Sequence, residues 1–315
     1  MVAAKLSIWT FVADSPRTRK REVPSVLRTH VRDGNESMSS FLHLPADEAS
    51  NSFGRRPFAL HHELAAHPLI QPESLAELAQ SLPPDEVEHN SGRVDAVRPD
   101  GSVPQADLSP SEIVSTIETN NCWIVLPIHE APAYRELYDA LFDELRPHLP
   151  AEQGEIVQRQ AVFFLATGGS TTPAHIDLEN GLLLHLRGEK EVQIGGFPDP
   201  RTGQRKIERM HLGEHRNVAQ SPQDASRFEL RPGDGVHIPA FTPHVVQTAA
   251  GQVSLSLTIA LKTEATMRES AVHRANAHMR RLGLKPRRPG VNQRSDRVKH
   301  RLVAAMGSAR RRRAA

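Results

Sequence analysis

The 315-residue sequence contains one cysteine, two tyrosines, two tryptophans and no long apolar run. A single thiol excludes an internal disulfide framework and fits a reducing compartment. Cys122 lies in the run Cys122-Trp123-Ile124-Val125-Leu126, which makes it a buried core thiol. No stretch approaches the roughly 18 apolar residues of a membrane-spanning helix. The apolar segment Leu6–Ala13 is short for a signal core and only Lys5 precedes it. Arg17, Arg19, Lys20 and Arg21 follow, without a cleavage pattern. The expectation is a cytoplasmic protein with no membrane association.

What is present is an ordinary globular balance with an uneven charge. Hydrophobic residues make up 38% and charged residues 24%, enough for one large core or two modest ones. From Thr263 to the end there are 15 Lys and Arg against 3 Asp and Glu, a net of +12. The overall charge is +2, so the first 262 residues carry −10. An acidic body thus bears a basic extension, and clustered cations such as Arg310–Arg313 attract nucleic acid or an acidic partner.

Three regions are expected along the chain. Residues 1–44 mix a basic cluster with Ser, Asn and Gly and read as loosely ordered, with Met38 a candidate start. Residues 45–262 form the main domain, and 263–315 a basic helical extension. Within the domain, helical spacing predicts a helix from Pro72 to Leu82. Ser109 and Pro110 predict a capped helix start, Trp123–Ile128 a strand, and Ala131–Leu149 a longer helix. From Ile156 short β-rich runs alternate with turns: Val157–Ala166, His175–Leu178, Leu182–Leu186, Glu191–Ile194, Phe228–Leu230, Val236–Ile238, Val245–Thr248 and Val253–Leu261. This rhythm predicts a mainly β domain with flanking helices, built as a sandwich or barrel. After Glu264 a helix carries Met267, Ala271, Ala275, Met279 and Leu282 on one face, ending before Pro286 and Pro289.

The chemistry concentrates in Thr171-Thr172-Pro173-Ala174-His175-Ile176-Asp177. Residues i and i+2 of a strand point the same way, so His175 and Asp177 can hold one ion together. A second imidazole would complete the 2-His-1-carboxylate face used for Fe(II) and O₂. Alone this motif is weak, since about one chance His-x-Asp is expected with so many histidines. Two further motifs accompany it. Gly188-Glu189-Lys190 opens a strand fifteen residues after His175, and Arg231-Pro232-Gly233-Asp234-Gly235-Val236-His237-Ile238-Pro239 leads through a turn to His244. His237 competes with His244 for the second imidazole; His244 directly opens a strand. His185, His211 and His215 read as structural or surface residues, with His185 also near the pocket.

Taken together, Thr-x-x-His-x-Asp, Gly-x-Lys and Pro-Gly-Asp-x-x-x-Ile-Pro-x-x-x-x-His resemble the JmjC and cupin-like 2-oxoglutarate oxygenases over residues 55–262. The likeness is strongest to the protein-hydroxylase branch that includes an asparaginyl hydroxylase of the hypoxia factor. The resemblance implies a double-stranded β-helix (a cupin or jelly-roll barrel) and oxidation of a C–H bond with Fe(II), 2-oxoglutarate and O₂. It implies His175, Asp177 and His244 as iron ligands, with no catalytic residue beyond them. It also implies Lys190 as the partner of the distal carboxylate of 2-oxoglutarate, with Thr172 hydrogen-bonded to it; Arg187 is the other nearby cation. Two asparagines of the branch are replaced by Gly181 and Ile259, so its substrate does not transfer. The implied substrate is a protein or peptide side chain or an amino-acid-like metabolite, and the C-terminal helix implies a homodimer. Two other readings share the scaffold: a JmjC N-methyl-lysine demethylase, and a non-catalytic or differently metallated cupin acting in binding or regulation.

Overall fold

The computed structural model describes residues 40–99 and 101–314. The loosely ordered segment expected over 1–44 lies outside the described residues up to residue 39, as do the side chains of 306–315. Twelve strands are described: β1 (Leu42–His43), β2 (Phe58–His62), β3 (Glu88–Ser91), β4 (Cys122–Pro127), β5 (Ile156–Ala166), β6 (Thr171–His175), β7 (Asn180–Arg187), β8 (Lys190–Gly196), β9 (Gln223–Leu230), β10 (Asp234–Ile238), β11 (His244–Thr248) and β12 (Ser254–Thr263). The helices are α1 (Ala46–Ser52), α2 (Pro72–Ser81), α3 (Pro110–Ser115), α4 (Arg135–Leu145), α5 (Pro200–Met210), α6 (Glu264–Arg281) and α7 (Gln293–Ala314).

The strands form an antiparallel sheet ordered β1-β2-β10-β7-β12-β5-β4-β3 and a smaller one ordered β6-β11-β8-β9. This is the double-stranded β-helix with flanking helices. Alternation along each strand assigns the layers. Leu255, Leu257, Ile259 and Leu261 of β12 and Leu182, Leu184 and Leu186 of β7 pack with α2, α3 and α4 residues in the largest core cluster. Leu183, Val236 and Ile238 of the large sheet meet Val192, Ile194, Leu230 and Val246 of the small one, which closes the barrel. Outside the small sheet, Ala174, Ile176, Val218 and Val245 pack with Ile207 of α5.

Local signals explain the helices. α3 carries the expected capping box, Ser109 with Glu112, and Pro110 in its first turn. α2 buries Leu75, Leu78 and Ala79 along one face. The long helix expected over Ala131–Leu149 is instead α4, flanked by the 3₁₀ turns Pro132–Tyr134 and Arg146–His148. Pro147 lacks the amide hydrogen that a continuous helix needs at that end. The strand expected at His175–Leu178 also differs: β6 ends at His175, because Ile176 N instead bonds to the Arg216 carbonyl.

On α6 the predicted apolar face is covered in part: Ala275 is buried and Met267, Ala271 and Met279 are half-buried. Thr266, Val272, His273, Ala275, Asn276 and Ala277 are covered, whereas Leu282 is 80% exposed. The buried side is partly polar, with Asn276 Nδ2 donating to the Arg287 carbonyl at 3.0 Å. Hydropathy alone therefore located only part of the covered face. No described helix is long and apolar enough to cross a membrane.

Candidate metal centre

Pairing of β6 with β11 brings distant histidines together, because His175 and His244 are direct cross-strand partners. Between them and the next pair, Thr172 with Val246, the register shifts. Two residues of β6, Pro173 and Ala174, oppose one of β11, which is a β-bulge. The bulge allows both Thr172 and His175, three residues apart, to face the barrel interior.

The imidazole rings lie 4.0 Å apart between centres, at 56°. Asp177 Oδ2 is 3.8 Å from His175 Nε2 and 3.5 Å from His244 Nε2. One donor atom from each of the three falls within 4.8 Å of the others. The surrounding bonds set which atoms converge. His175 Nδ1 donates to the Pro173 carbonyl at 2.7 Å, and His244 Nδ1 to the Thr242 carbonyl at 3.0 Å. A carbonyl can only accept, so each Nδ1 carries the proton and each Nε2 presents a lone pair. Burial first, then the neighbouring His244 and Arg216, hold the His175 pKa well below its usual value, in the neutral form a ligand needs. Burial opposes ionisation of Asp177, but its pKa is held below the usual carboxylate range, and with both imidazoles neutral the Arg216 guanidinium is the cation beside it. Arg216 donates to Asp177 Oδ1 at 3.2 Å, leaving Oδ2 toward the histidines.

The turn before His244 is fastened to the His175–Asp177 segment. Phe241 N donates to the Asp177 carbonyl at 2.7 Å, and Ala240 N to Asn180 Oδ1 at 3.0 Å. Asn180 Nδ2 in turn donates to Thr266 Oγ1 of α6 at 3.0 Å. Phe241 adopts φ 62°, a left-handed conformation that this tight turn imposes.

Deeper in the barrel stands Lys190, 4% exposed, at the start of β8. Its ammonium donates to Ser256 Oγ at 2.7 Å and lies 5.4 Å from the Phe164 ring centre. Burial lowers its pKa to about 7. On β8, Ile194 is the partner of His244, so Lys190 starts four residues further along, roughly 13 Å of strand. A lysine side chain and a five-carbon diacid can span that gap. Arg187 is exposed and takes no part in the interior.

Other candidates fall elsewhere. His237 sits in the large sheet, stacked on Phe58 at 4.7 Å and near Phe53 at 4.5 Å. Its ring nitrogens face Gly54 N and the Arg56 carbonyl, and burial lowers its pKa to about 3. It is a core residue. His211 stacks near His273, 6.3 Å between centres, and His215 is exposed. Ile259 faces the helix layer, so the barrel-facing neighbours on β12 are Thr258 and Ala260. Gly181 is opposite Ile238 and Ala260 and leaves open the space that a side chain would fill. Sequence reasoning missed Arg216, Ser256 and Asn180.

The donor set, two imidazole nitrogens and one carboxylate on one side, fits a divalent iron-type ion with open positions. Comparison with known proteins agrees with the architecture. Residues 144–268 match the JmjC domain family. The structure of Escherichia coli ycfD is 17% identical, with a TM-score of 0.50 over 85% of this chain and 68% of that one. A structure of E. coli YcfD, a ribosomal oxygenase, in complex with cobalt and 2-oxoglutarate is 16% identical, with a TM-score of 0.45 over 84% and 67%. No curated protein matches the chain in sequence. Residues 144–268 thus match the JmjC domain family, and the chain shares its fold with E. coli ycfD.

Proposed function

We propose that the protein is an Fe(II)- and 2-oxoglutarate-dependent dioxygenase that hydroxylates a protein or peptide side chain. One observation carries this reading: the His175, Asp177 and His244 donors share a barrel with the buried Lys190, whose ammonium meets a hydroxyl and a ring face. When bound, the iron supplies O₂ activation coupled to oxidative decarboxylation of the 2-oxo acid. His175 and His244 offer Nε2, and Asp177 offers Oδ2 while Arg216 holds its other oxygen. Lys190 and Thr172 receive the distal carboxylate. The apolar wall of Leu183, Val192, Ile194 and Val246 keeps water from the charged groups and so strengthens their attraction.

A buried lysine with a hydroxyl and a ring face as its recorded partners is costly unless an anion joins it, which disfavours a purely structural barrel. The test is incubation of the iron-loaded protein with cell extract, 2-oxoglutarate and air, followed by mass spectrometry of the proteins. One added oxygen on a side chain supports hydroxylation. Formaldehyde release would indicate demethylation, and modified small molecules alone would exclude a protein substrate.

The assembly we propose is a homodimer through the C-terminal segment, working in the cytoplasm. Leu282, Leu284, Val291, Val298 and Leu302 are all about half exposed or more, a run of uncovered apolar side chains beside α6 and along α7. Removal of everything after Lys262 is a poor test, because α6 is part of the folded core. Light scattering of Leu282→Asp and Leu302→Asp is the better one. Both variants should be monomeric at micromolar concentration, and dimers that persist in both would exclude this surface.

A further inference from the structure

The lysine comes from the small sheet, yet what holds it belongs to the large one. Ser256 turns away from the helix layer that its neighbours Leu255 and Leu257 occupy, and into the barrel. Across the sheet it is in register with Phe164 of β5 and His185 of β7. The pairing with His185 continues the register of Leu257 with Leu184, and the strand slips only beyond Ser256, where Leu255 meets Arg187. The resulting row, Phe164, Ser256 and His185, faces Lys190. His185 Nδ1 is 3.2 Å from Ser256 Oγ, and its Nε2 is 2.9 Å from the Gly188 carbonyl.

Counting donors gives this chain of bonds one direction. The Lys190 ammonium can only donate, and the Gly188 carbonyl can only accept. His185 Nε2 therefore carries the proton. Burial first and the nearby Lys190 second lower the His185 pKa to about 3, so the ring is neutral and Nδ1 is bare. Ser256 must donate to that Nδ1, which turns its lone pairs toward Lys190. Gly188 lies two residues before Lys190, so the chain of bonds closes on the lysine's own turn.

We propose that Ser256 and His185 are positioning residues, which fix the Lys190 ammonium where the distal carboxylate of a 2-oxo diacid arrives. The inference rests on the 2-oxoglutarate reading above. A flexible four-carbon side chain fixed in advance loses less freedom on binding, and that saving appears as affinity.

The experiment compares two acids on the Mn(II)-loaded protein by calorimetry. 2-Oxoglutarate needs Lys190, whereas pyruvate has the same 2-oxo acid end and no distal carboxylate. Ser256→Ala should weaken 2-oxoglutarate about 10-fold, the worth of one charge-assisted hydrogen bond, and leave pyruvate within about twofold. Ser256→Thr, which keeps the hydroxyl, should restore the 2-oxoglutarate affinity. His185→Asn, which keeps an acceptor near Nδ1, should bind 2-oxoglutarate better than His185→Phe, and thermal melting will report whether each variant folds. Equal losses for both acids, or no loss for either, would overturn the positioning role. A wild type that prefers 2-oxoglutarate while Ser256→Ala keeps the same preference defeats this inference alone. A wild type that binds the two acids alike defeats the 2-oxoglutarate reading and this inference with it.

Discussion

Replacing Lys190 by Met separates what a buried cation costs from what it does. The side chain is 4% exposed, and burial brings its pKa from 10.5 to about 7. Between those values the unfolded chain holds a proton that the folded chain has released. The unfolded state then binds more protons, so this group makes the fold more stable as pH rises from about 7 towards 10.5. At about 1.4 kcal/mol per decade, the gap costs roughly 4–5 kcal/mol at neutral pH. Methionine keeps the length and removes the charge. Allowing for the lost Ser256 contact, Lys190→Met should be more stable than wild type by about 2–4 kcal/mol at pH 7 without ligand. The advantage should shrink toward pH 10. The same change strips the diacid of its counter-ion, worth about 2–5 kcal/mol, so 2-oxoglutarate binding should fall at least about 30-fold. Urea unfolding at both pH values and calorimetry with 2-oxoglutarate read the two effects. A Met variant that is less stable at pH 7 and binds 2-oxoglutarate normally would refute the reasoning.

Other expectations follow from the same geometry. His175→Ala and Asp177→Ala should lose tight Fe(II) binding, measured by chelator competition, with circular dichroism unchanged. His237→Ala should do the reverse: native metal affinity with a loss of about 2–4 kcal/mol, since it empties the space between Phe53 and Phe58. Glu179 and Lys262 form a buried pair at 2.9 Å, and Glu179→Ala removes that carboxylate from a buried cation, at a cost of about 3–5 kcal/mol in denaturant unfolding. Wild-type affinity for 2-oxoglutarate should weaken as pH rises above about 7, where free Lys190 loses its proton, and Lys190→Met should lack that dependence. A flat wild-type profile between pH 6 and 9 would contradict it.

Much of the barrel was legible because alternation and turns are local signals. Most of the β-runs after Ile156 correspond to strands, and Ser109-Pro110 marks a real helix cap. His175, Asp177 and His244 were legible as a set only through three motifs in order; spacing alone left His237 as a rival. What separates the two histidines is pairing: His244 is opposite His175, while His237 is opposite Phe58 and Leu182. Non-local contacts of this kind leave no trace in local sequence. The same limit hid Arg216, Ser256 and Asn180, each fixed by a partner at least 39 residues away. The bulge in β6 reverses alternation after Thr172, so the strand appeared to start where it ends. The covered face of α6 was legible only in part, through Ala275, because the rest of its burial is partly polar, through His273 and Asn276.

The central claim is that His175, Asp177 and His244 hold an iron used with 2-oxoglutarate. Succinate formation from 2-oxoglutarate, followed with Fe(II) present and absent and compared with Asp177→Ala, tests it most directly. The account predicts iron-dependent succinate with matching O₂ uptake in the wild type, even without substrate, and none above background in Asp177→Ala. Wild-type protein that forms no succinate with iron, 2-oxoglutarate and cell extract, or an Asp177→Ala variant that turns over equally, would contradict it.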